Sequence, residues 1–204
     1  FSVALVQGNI AQETKWLPES VQPILDRYAA LSENAWENDL VIWPESATSS
    51  YILQGDQYYL KWIQSELDNS KLLSGIPYYQ GNKEDRHFYN SATLISSDSV
   101  STPYHKMILV PMAEYIPLAG YFPYLKNLNL GQANFTHGEE YKIFNVKNTS
   151  IAAMVCFEST IPSLSREFVR RGAGILIFVV NDGWYEHPPE PQQPKISCEI
   201  RLHV

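Results

Sequence analysis

The chain has 204 residues with 45% hydrophobic and 18% charged side chains, a composition typical of a globular domain and not of a disordered chain. Its formal net charge of −7, without any stripe of Lys and Arg, argues against a nucleic-acid partner. The two cysteines exclude a disulfide framework, and no Cys or His spacing indicates a metal site, so we expect neither a metal nor a cofactor.

Seven short apolar runs rich in β-branched residues predict strands. They lie at 3–7, 40–45, 71–79, 91–96, 141–146, 150–157 and 174–181. Several are apolar throughout rather than alternating, which indicates strands that are covered on both faces. Apolar residues at helical spacing predict three helices, at 18–36, 57–70 and 161–174.

Strands and helices alternate at both ends of the chain, whereas strands follow one another around 71–104. This order predicts one α/β domain over residues 1–204, with layers built on buried sheets. The segment 105–138 is rich in proline and glycine, and a loop of that length is usually functional. Two interpretations remain open for it, a lid near a bilayer and ordinary loop packing. Its residues that would suit a membrane interface are Tyr115, Ile116, Leu118, Tyr121, Phe122 and Tyr124.

Three reactive residue types stand beside predicted strands. Glu45 follows an apolar run and Pro44, Lys106 precedes the run MILVPM, and Cys156 ends the run IAAMVC. Each also has an ordinary interpretation, as a loop carboxylate, a surface lysine and a buried cysteine.

Ligands of α/β sheets favour the carboxyl ends of strands, where we expect Glu45, Lys106 and Cys156 to converge. A thiol needs a base to become a thiolate, and Glu45 would be that base if burial raised its pKa. Lys106 would favour the thiolate and then stabilise an oxyanion, with the amide N–H of Phe157 as the second donor. These residues together predict nucleophilic attack by Cys156 on a carbonyl group.

The segments WPES, HKMILVP and VCFES, in this order, resemble the Glu-Lys-Cys triad of the nitrilase, or carbon–nitrogen hydrolase, superfamily. Five longer segments resemble one branch of it, the apolipoprotein N-acyltransferase family of bacterial membranes. They are VQGNIAQETKW (6–16), VIWPESA (41–47), KMILVPMAEYIPL (106–118), AAMVCFES (152–159) and NDGWY (181–185).

The resemblance implies a nitrilase-like αββα sandwich of four layers. It implies that Glu45 is the base, Lys106 the oxyanion lysine and Cys156 the nucleophile. It further implies supporting roles for a second essential glutamate, for the two residues after the nucleophile and for a functional tryptophan. These four are Glu114, Phe157, Glu158 and Trp16.

The reaction that the resemblance implies moves an acyl chain from a phospholipid, through a thioester on Cys156, to the N-terminal amine of a diacylglyceryl-cysteine apolipoprotein. It also implies a catalytic domain on the extracytoplasmic side of the bacterial inner membrane. We therefore expect these residues to be part of a longer membrane protein whose membrane segments lie outside them. The sequence departs from the family pattern at Met112-Ala113, where Phe-Gly is usual, and at Phe157, where tyrosine is common. The segment 190–204 is also atypical of the family. Because of this segment, we expect the sandwich to be incomplete at its C-terminal end.

Two other functions stay open on the sequence. A soluble carbon–nitrogen hydrolase would share the acyl-thioester step and use water as the second nucleophile. A catalytically inactive domain would bind lipid or protein through the same fold. Flanking hydrophobic segments of about 20 residues would separate the first of these from a membrane acyltransferase.

Overall fold

The structure, a computed structural model, describes residues 1–55, 57–116 and 134–181, together with a strand at 198–202. Its strands form two mixed sheets. The first sheet has the order β1-β2-β3-β4-β5, and the second has the order β6-β7-β8-β9. The strands are β1 (Val3–Leu5), β2 (Leu40–Trp43), β3 (Lys71–Gln80), β4 (His87–Ile95), β5 (Tyr104–His105), β6 (Phe144–Val146), β7 (Thr149–Val155), β8 (Ile175–Val179) and β9 (Cys198–Leu202).

The pairing directions put several strand ends on one side of the molecule. Strands β1, β2 and β3 are parallel, and β4 is antiparallel to both β3 and β5, so β5 runs in the same direction as β3. In the second sheet, β7 and β8 are parallel, whereas β6 and β9 pair antiparallel with them. Each sheet therefore has parallel strands whose carboxyl ends share an edge.

Four α-helices accompany the sheets among the described residues. They are α1 (Gln12–Lys15), α2 (Val21–Ser32), α3 (Tyr58–Glu66) and α4 (Pro162–Arg170). Short 3-10 helices precede α2, at Pro18–Ser20, and follow β7, at Cys156–Thr160. Helix α4 begins at a proline, which lacks the N–H that a helix start leaves unpaired, and the chain leaves it at Gly172 with a φ of 98°.

Alternating side chains of β2 separate two cores. Leu40 and Ile42 point to the second sheet, where they pack with residues of β7, β8 and α4. Val41 and Trp43 point the other way, to the apolar faces of α2 and α3. The layers are thus helix, sheet, sheet and helix, which is the αββα architecture that the family resemblance implies.

The sequence-based elements are largely confirmed, with specific differences. All seven predicted strands and the three predicted helices are present with shifted ends. Leu31, which helical spacing places on the apolar face of α2, is half exposed. The two-residue strand β5 and the strand β9 were not predicted, and β9 lies in the segment where we expected an incomplete sheet, paired with β8. Because β5 is so short, its sequence carries no alternation that would reveal it.

The proposed lid falls mainly outside the described residues. Leu118, Tyr121, Phe122 and Tyr124 belong to the undescribed range 117–133. Of the two described members, Ile116 is buried and Tyr115 packs its ring 5.1 Å from that of His137. No helix among the described residues has the length and apolarity needed to cross a bilayer.

Gly75 of β3 lies directly against the turn that follows β2. A Cβ atom on Gly75 would stand 2.5 Å from the Cα of Glu45 and 2.7 Å from the carbonyl oxygen of Pro44. The Gly75 carbonyl also accepts a hydrogen bond from the N–H of Ala47 at 3.0 Å. The sheet can therefore hold this turn so closely only because residue 75 has no side chain.

We expect Gly75→Ala to lower the free energy of unfolding by about 2 kcal/mol, because backbone atoms at the turn must move to admit the methyl group. Urea denaturation of the variant measures this loss. Gly174→Ala is the matched control, since its Cβ would meet only the carbonyl oxygen of Ser150 at 3.6 Å. Equal stability losses in the two variants would contradict the argument.

Candidate active site

The structure brings Glu45, Lys106 and Cys156 together at the carboxyl ends of β2, β5 and β7. The electrostatic interaction of Cys156 with both Glu45 and Lys106 is strong enough to move the pKa of the thiol. A fourth strand end adds to the same place, because the main-chain N–H of Asn181, just beyond β8, donates to Glu45. The structure therefore places the three residues together, and their catalytic roles stay predictions.

Glu45 is a buried carboxylate, 7% exposed, with both oxygens engaged. Its Oε1 accepts a hydrogen bond from Nδ2 of Asn90 at 2.6 Å, and its Oε2 accepts one from the N–H of Asn181 at 3.1 Å. Burial raises the pKa of Glu45, and the charge of Lys106 and the Asn90 hydrogen bond partly oppose that rise. A raised pKa makes Glu45 a stronger base, which suits a group that must accept the proton of a thiol.

Lys106 is almost fully enclosed, 1% exposed, and its Nζ lies 2.7 Å from Oε2 of Glu114. Its main chain is fixed at both ends, because its N–H donates to the Asn90 carbonyl and its carbonyl accepts from the N–H of Gly138. Burial alone disfavours the ammonium form, but Glu45, Glu114 and Cys156 outweigh it and raise the pKa of Lys106. The side chain therefore stays a cation inside the site.

Cys156 occupies a strained position between β7 and the 3-10 helix, with a φ of 51°. Such a conformation is uncommon outside glycine and marks sites where the fold imposes it. Burial raises the pKa of the Cys156 thiol to about 12, with Glu45 adding to the rise and Lys106 and the Phe157 N–H opposing it. The resting side chain is consequently a thiol, which must lose its proton for the sulfur to act as a nucleophile.

Glu158 has a structural role that the sequence did not reveal. It is 0% exposed, and its Oε1 accepts hydrogen bonds from the Tyr104 hydroxyl at 2.7 Å and from the N–H groups of Met107 and Ile108 at 2.7 and 3.1 Å. Its Oε2 accepts a further one from the N–H of Val155 at 2.8 Å. Burial raises the pKa of Glu158, but three of these partners can only donate, so they select its carboxylate form.

Asn90 on β4 joins two acidic residues and was missed in the sequence. Its Nδ2 donates to Oε1 of Glu45 and, at 3.1 Å, to Oε1 of Glu114. Glu114 in turn accepts from the N–H of Val110 and pairs with Lys106, so the predicted second glutamate does lie at the site. Asn90 was missed because the apolar run that predicts β4 begins at Ser91. Its burial, with only 3% of the residue exposed, is a property of the folded chain that the sequence does not show.

Trp16 and Phe157 are more exposed than Glu45 and Lys106. Their side chains are 48% and 37% exposed, whereas the buried neighbour of Trp16 is Lys15, another residue that the sequence analysis did not select. The Phe157 main-chain N–H interacts with the Cys156 thiol and lowers its pKa, and its role as an oxyanion donor stays a prediction. Residues 182–185 of the NDGWY segment lie outside the described residues.

Chemically, the arrangement combines a thiol, a buried carboxylate and a buried ammonium. These groups can remove a proton, attack a carbonyl carbon and stabilise the resulting oxyanion. Among the described residues, no group of three His, Cys, Asp or Glu side chains is placed to hold a metal ion.

Comparisons with known proteins agree with this description. The sequence model of the carbon-nitrogen hydrolase family matches residues 2–201. The chain is 34% identical over 199 residues to the apolipoprotein N-acyltransferase of Geobacter metallireducens, covering 95% of this chain and 38% of that protein. It is 31% identical over 210 residues to the apolipoprotein N-acyltransferase of Vibrio parahaemolyticus, covering 98% and 41%. The chain thus spans less than half the length of these relatives.

Solved structures match the fold at low sequence identity. The carbon-nitrogen hydrolase of Helicobacter pylori G27 aligns with a TM-score of 0.63 and 19% identity, over 87% of this chain and 59% of that one. An amidase from Nesterenkonia sp. aligns with a TM-score of 0.59 and 18% identity, over 90% and 66%. At these identities the likeness concerns the fold alone.

We expect Glu158→Gln to lower the free energy of unfolding by about 3 kcal/mol, because the new amide group turns its own donors toward N–H groups that need an acceptor. Urea denaturation measures the change. Glu167→Gln is the control, since that carboxylate pairs with Arg170 and Arg171 at the surface. Its loss should stay below about 1 kcal/mol. Similar losses in both variants would show that the Glu158 hydrogen bonds do not hold the site.

We expect alkylation of Cys156 by iodoacetamide to quicken about tenfold per pH unit between roughly pH 7 and pH 10, since only the thiolate reacts. Lys106→Met should slow it at every pH, because the positive charge of Lys106 lowers the pKa of the thiol. Mass spectrometry of the peptide that contains Cys156 gives the rate. Lys83→Met, at an exposed lysine, should leave it unchanged. A rate that levels off near pH 8 would contradict the raised pKa.

Proposed function

The chain belongs to the carbon–nitrogen hydrolase family, and from this membership we propose that it is the catalytic part of an apolipoprotein N-acyltransferase. The observation that carries the proposal is the coupled group of Glu45, Lys106 and Cys156 inside a buried site. The choice of acyl transfer rests on the two relatives of that name, at 34% and 31% identity. The substrates are a phospholipid as acyl donor and the N-terminal amine of a diacylglyceryl-cysteine apolipoprotein as acceptor.

In the first half-reaction, Cys156 Sγ attacks the ester carbonyl carbon of the donor while Glu45 takes the thiol proton. The carbonyl oxygen becomes an oxyanion that the Lys106 ammonium and the Phe157 N–H stabilise. When the oxyanion collapses, the bond between the carbonyl carbon and the glycerol oxygen breaks. The proton on Glu45 passes to that oxygen, which leaves a lysophospholipid and a thioester on Cys156.

In the second half-reaction, the acceptor amine attacks the thioester carbonyl carbon, and Glu45 takes the proton that the amine loses. The same two donors hold the second oxyanion. Its collapse breaks the bond between carbon and sulfur, and the proton on Glu45 returns to the sulfur of Cys156. The products are an amide and the free enzyme, so no group outside the donor and acceptor is consumed.

Exposed apolar side chains beside the site support a lipid substrate. Trp16 follows the buried Lys15, Met112 lies two residues from Glu114, and Phe157 follows the nucleophile; all three are between 37% and 54% exposed. Side chains of this kind can contact an acyl chain or the membrane interface. From the resemblance to the apolipoprotein N-acyltransferase family, we also propose that the protein acts at the extracytoplasmic face of the bacterial inner membrane, held by segments outside these residues.

A carbon–nitrogen hydrolase that passes the acyl group to water is the second candidate. The match of the carbon-nitrogen hydrolase family model to residues 2–201 supports it. The first half-reaction would be analogous, with an amide in place of the ester, and the proton on Glu45 would pass to the departing nitrogen, which leaves as ammonia or an amine. Both candidates pass through a thioester on Cys156 and differ in the molecule that attacks it, so the acceptor decides between them.

Incubation of the full-length protein with a fluorescent phospholipid should label Cys156, as read by gel fluorescence and peptide mass spectrometry. Cys156→Ala and Lys106→Ala should abolish the label, and Glu45→Ala should slow its appearance by about a hundredfold or more, because these residues supply the nucleophile, the oxyanion cation and the base. Cys198→Ala is the matched control and should label normally, since that cysteine lies on β9.

Addition of a diacylglyceryl peptide with an N-terminal cysteine should then move the label to the peptide amine. Release of free labelled fatty acid without transfer to the peptide would favour the hydrolase. Absence of any label on folded full-length protein would overturn the acyltransferase and favour a domain that only binds lipid or protein.

A further inference from the structure

Lys15, at the end of α1, is a buried cation that the triad chemistry does not use. Its side chain is 3% exposed, although lysines are rarely buried without a partner because an ammonium loses most of its hydration there. Its Nζ donates a hydrogen bond to the main-chain oxygen of Glu45 at 3.2 Å. The face of the Trp16 ring lies at the edge of cation–π range, 5.8 Å from Nζ.

Lys15 and Lys106 hold different parts of Glu45. Lys106, at the end of β5, acts through its charge on the side-chain carboxylate of Glu45. Lys15, at the end of α1, donates a hydrogen bond to the main-chain carbonyl group of the same residue. This carbonyl lies in the turn after β2, where Ser46 has a φ of 51° and Gly75 packs against the backbone. A turn in such a conformation needs an external contact to keep one geometry.

We propose that Lys15 is a positioning residue for Glu45, the base. Lys15 fixes the main chain at Glu45 and supplies a second positive charge beside the Glu45 carboxylate. The inference rests on the proposed role of Glu45 and extends it to a residue on another element. Lys15 does not touch the reacting atoms. It acts through Glu45, on both its place and its ionisation.

The charge relation between the two residues runs in both directions. The ammonium of Lys15 is among the groups that lower the pKa of Glu45, with Lys106, while Glu114 and burial raise it. Burial in turn lowers the pKa of Lys15 to about 8, and the charge of Glu45 opposes that fall. Near neutral pH, Lys15 is therefore mostly protonated, and its removal makes the ionisation of Glu45 harder.

The test measures acylation of Cys156 by a fluorescent short-chain thioester as a function of pH, in the full-length protein. Because an ionised Glu45 is required, the acid limb of the rate profile reports its pKa. Lys15→Met should move this limb upward by roughly half a pH unit or more and lower the maximal rate by about tenfold. Lys15→Gln keeps a donor for the Glu45 carbonyl without the charge, so it should recover rate while its acid limb stays displaced.

Lys15→Arg restores the charge and should return the acid limb toward that of the wild type. Lys61→Met, at an exposed lysine of α3, should match the wild type both in maximal rate and in the position of the acid limb. The proposal is overturned if Lys15→Met lowers the unfolding temperature but leaves the acid limb in place, because Lys15 is then only a structural contact. It is also overturned if neither uncharged variant folds.

The thioester probe distinguishes failure of the Lys15 proposal from failure of the proposed acyltransferase function. A thioester acylates the cysteine whether the natural acceptor is an amine or water, so the Lys15 result holds for either reaction. Wild-type protein that forms no acyl-enzyme with the probe overturns the role of the triad and the role of Lys15 together. An acyl-enzyme that forms normally in Lys15→Met, with an unchanged limb, overturns the Lys15 role alone.

Discussion

The hydrogen-bonded carboxylate of Glu158 is the contact on which the geometry of the site depends. It receives N–H groups from the end of β7 and from the residues after Lys106, and the hydroxyl of Tyr104 on β5. These donors come from both sheets, so one buried side chain fixes the distance between the turn at Cys156 and the segment that follows Lys106. Four donors on one carboxylate satisfy it without a counter-ion, which leaves the charges of Lys106 and Lys15 to act on Glu45.

The remaining charges form a balanced group in a poorly solvated space. Glu45 and Glu114 are held near each other by the amide of Asn90 and by the ammonium of Lys106, whose positive charge offsets their repulsion. Such groups interact more strongly than they would in water, since few solvent dipoles screen them. Removing one member therefore alters the protonation of the others. Changes in rate at this site should accordingly be interpreted together with pH profiles.

The sequence predicted those parts of the molecule that depend on local pattern. Apolar runs predicted the seven strands, and reactive residues beside apolar runs predicted Glu45, Lys106 and Cys156, because the carboxyl ends of parallel strands meet at one edge. Strand β5, which places Lys106, was not predicted. Resemblance to a family was needed to select Glu114 and Glu158, and neither source explained what Glu158 does. Asn90 and Lys15 were missed because burial, which is their distinguishing property, arises from contacts between distant segments. An isolated lysine in QETKW is otherwise typical of a solvated helix end.

In the proposed mechanism, the pKa of Glu45 must serve two opposite proton transfers. Glu45 has to take a proton from a thiol whose pKa is raised to about 12, and then give that proton to a leaving oxygen. A carboxylate in water is too weak a base for the first transfer, whereas a carboxylate buried without cations would keep its proton and fail at the start. Burial of Glu45 raises its basicity, and Lys106 and Lys15 keep the ionised form accessible. Oxyanion stabilisation by Lys106 and the Phe157 N–H then makes attack and proton transfer favourable together, although neither is favourable alone. The cations around Glu45 are therefore as necessary to the chemistry as the carboxylate itself.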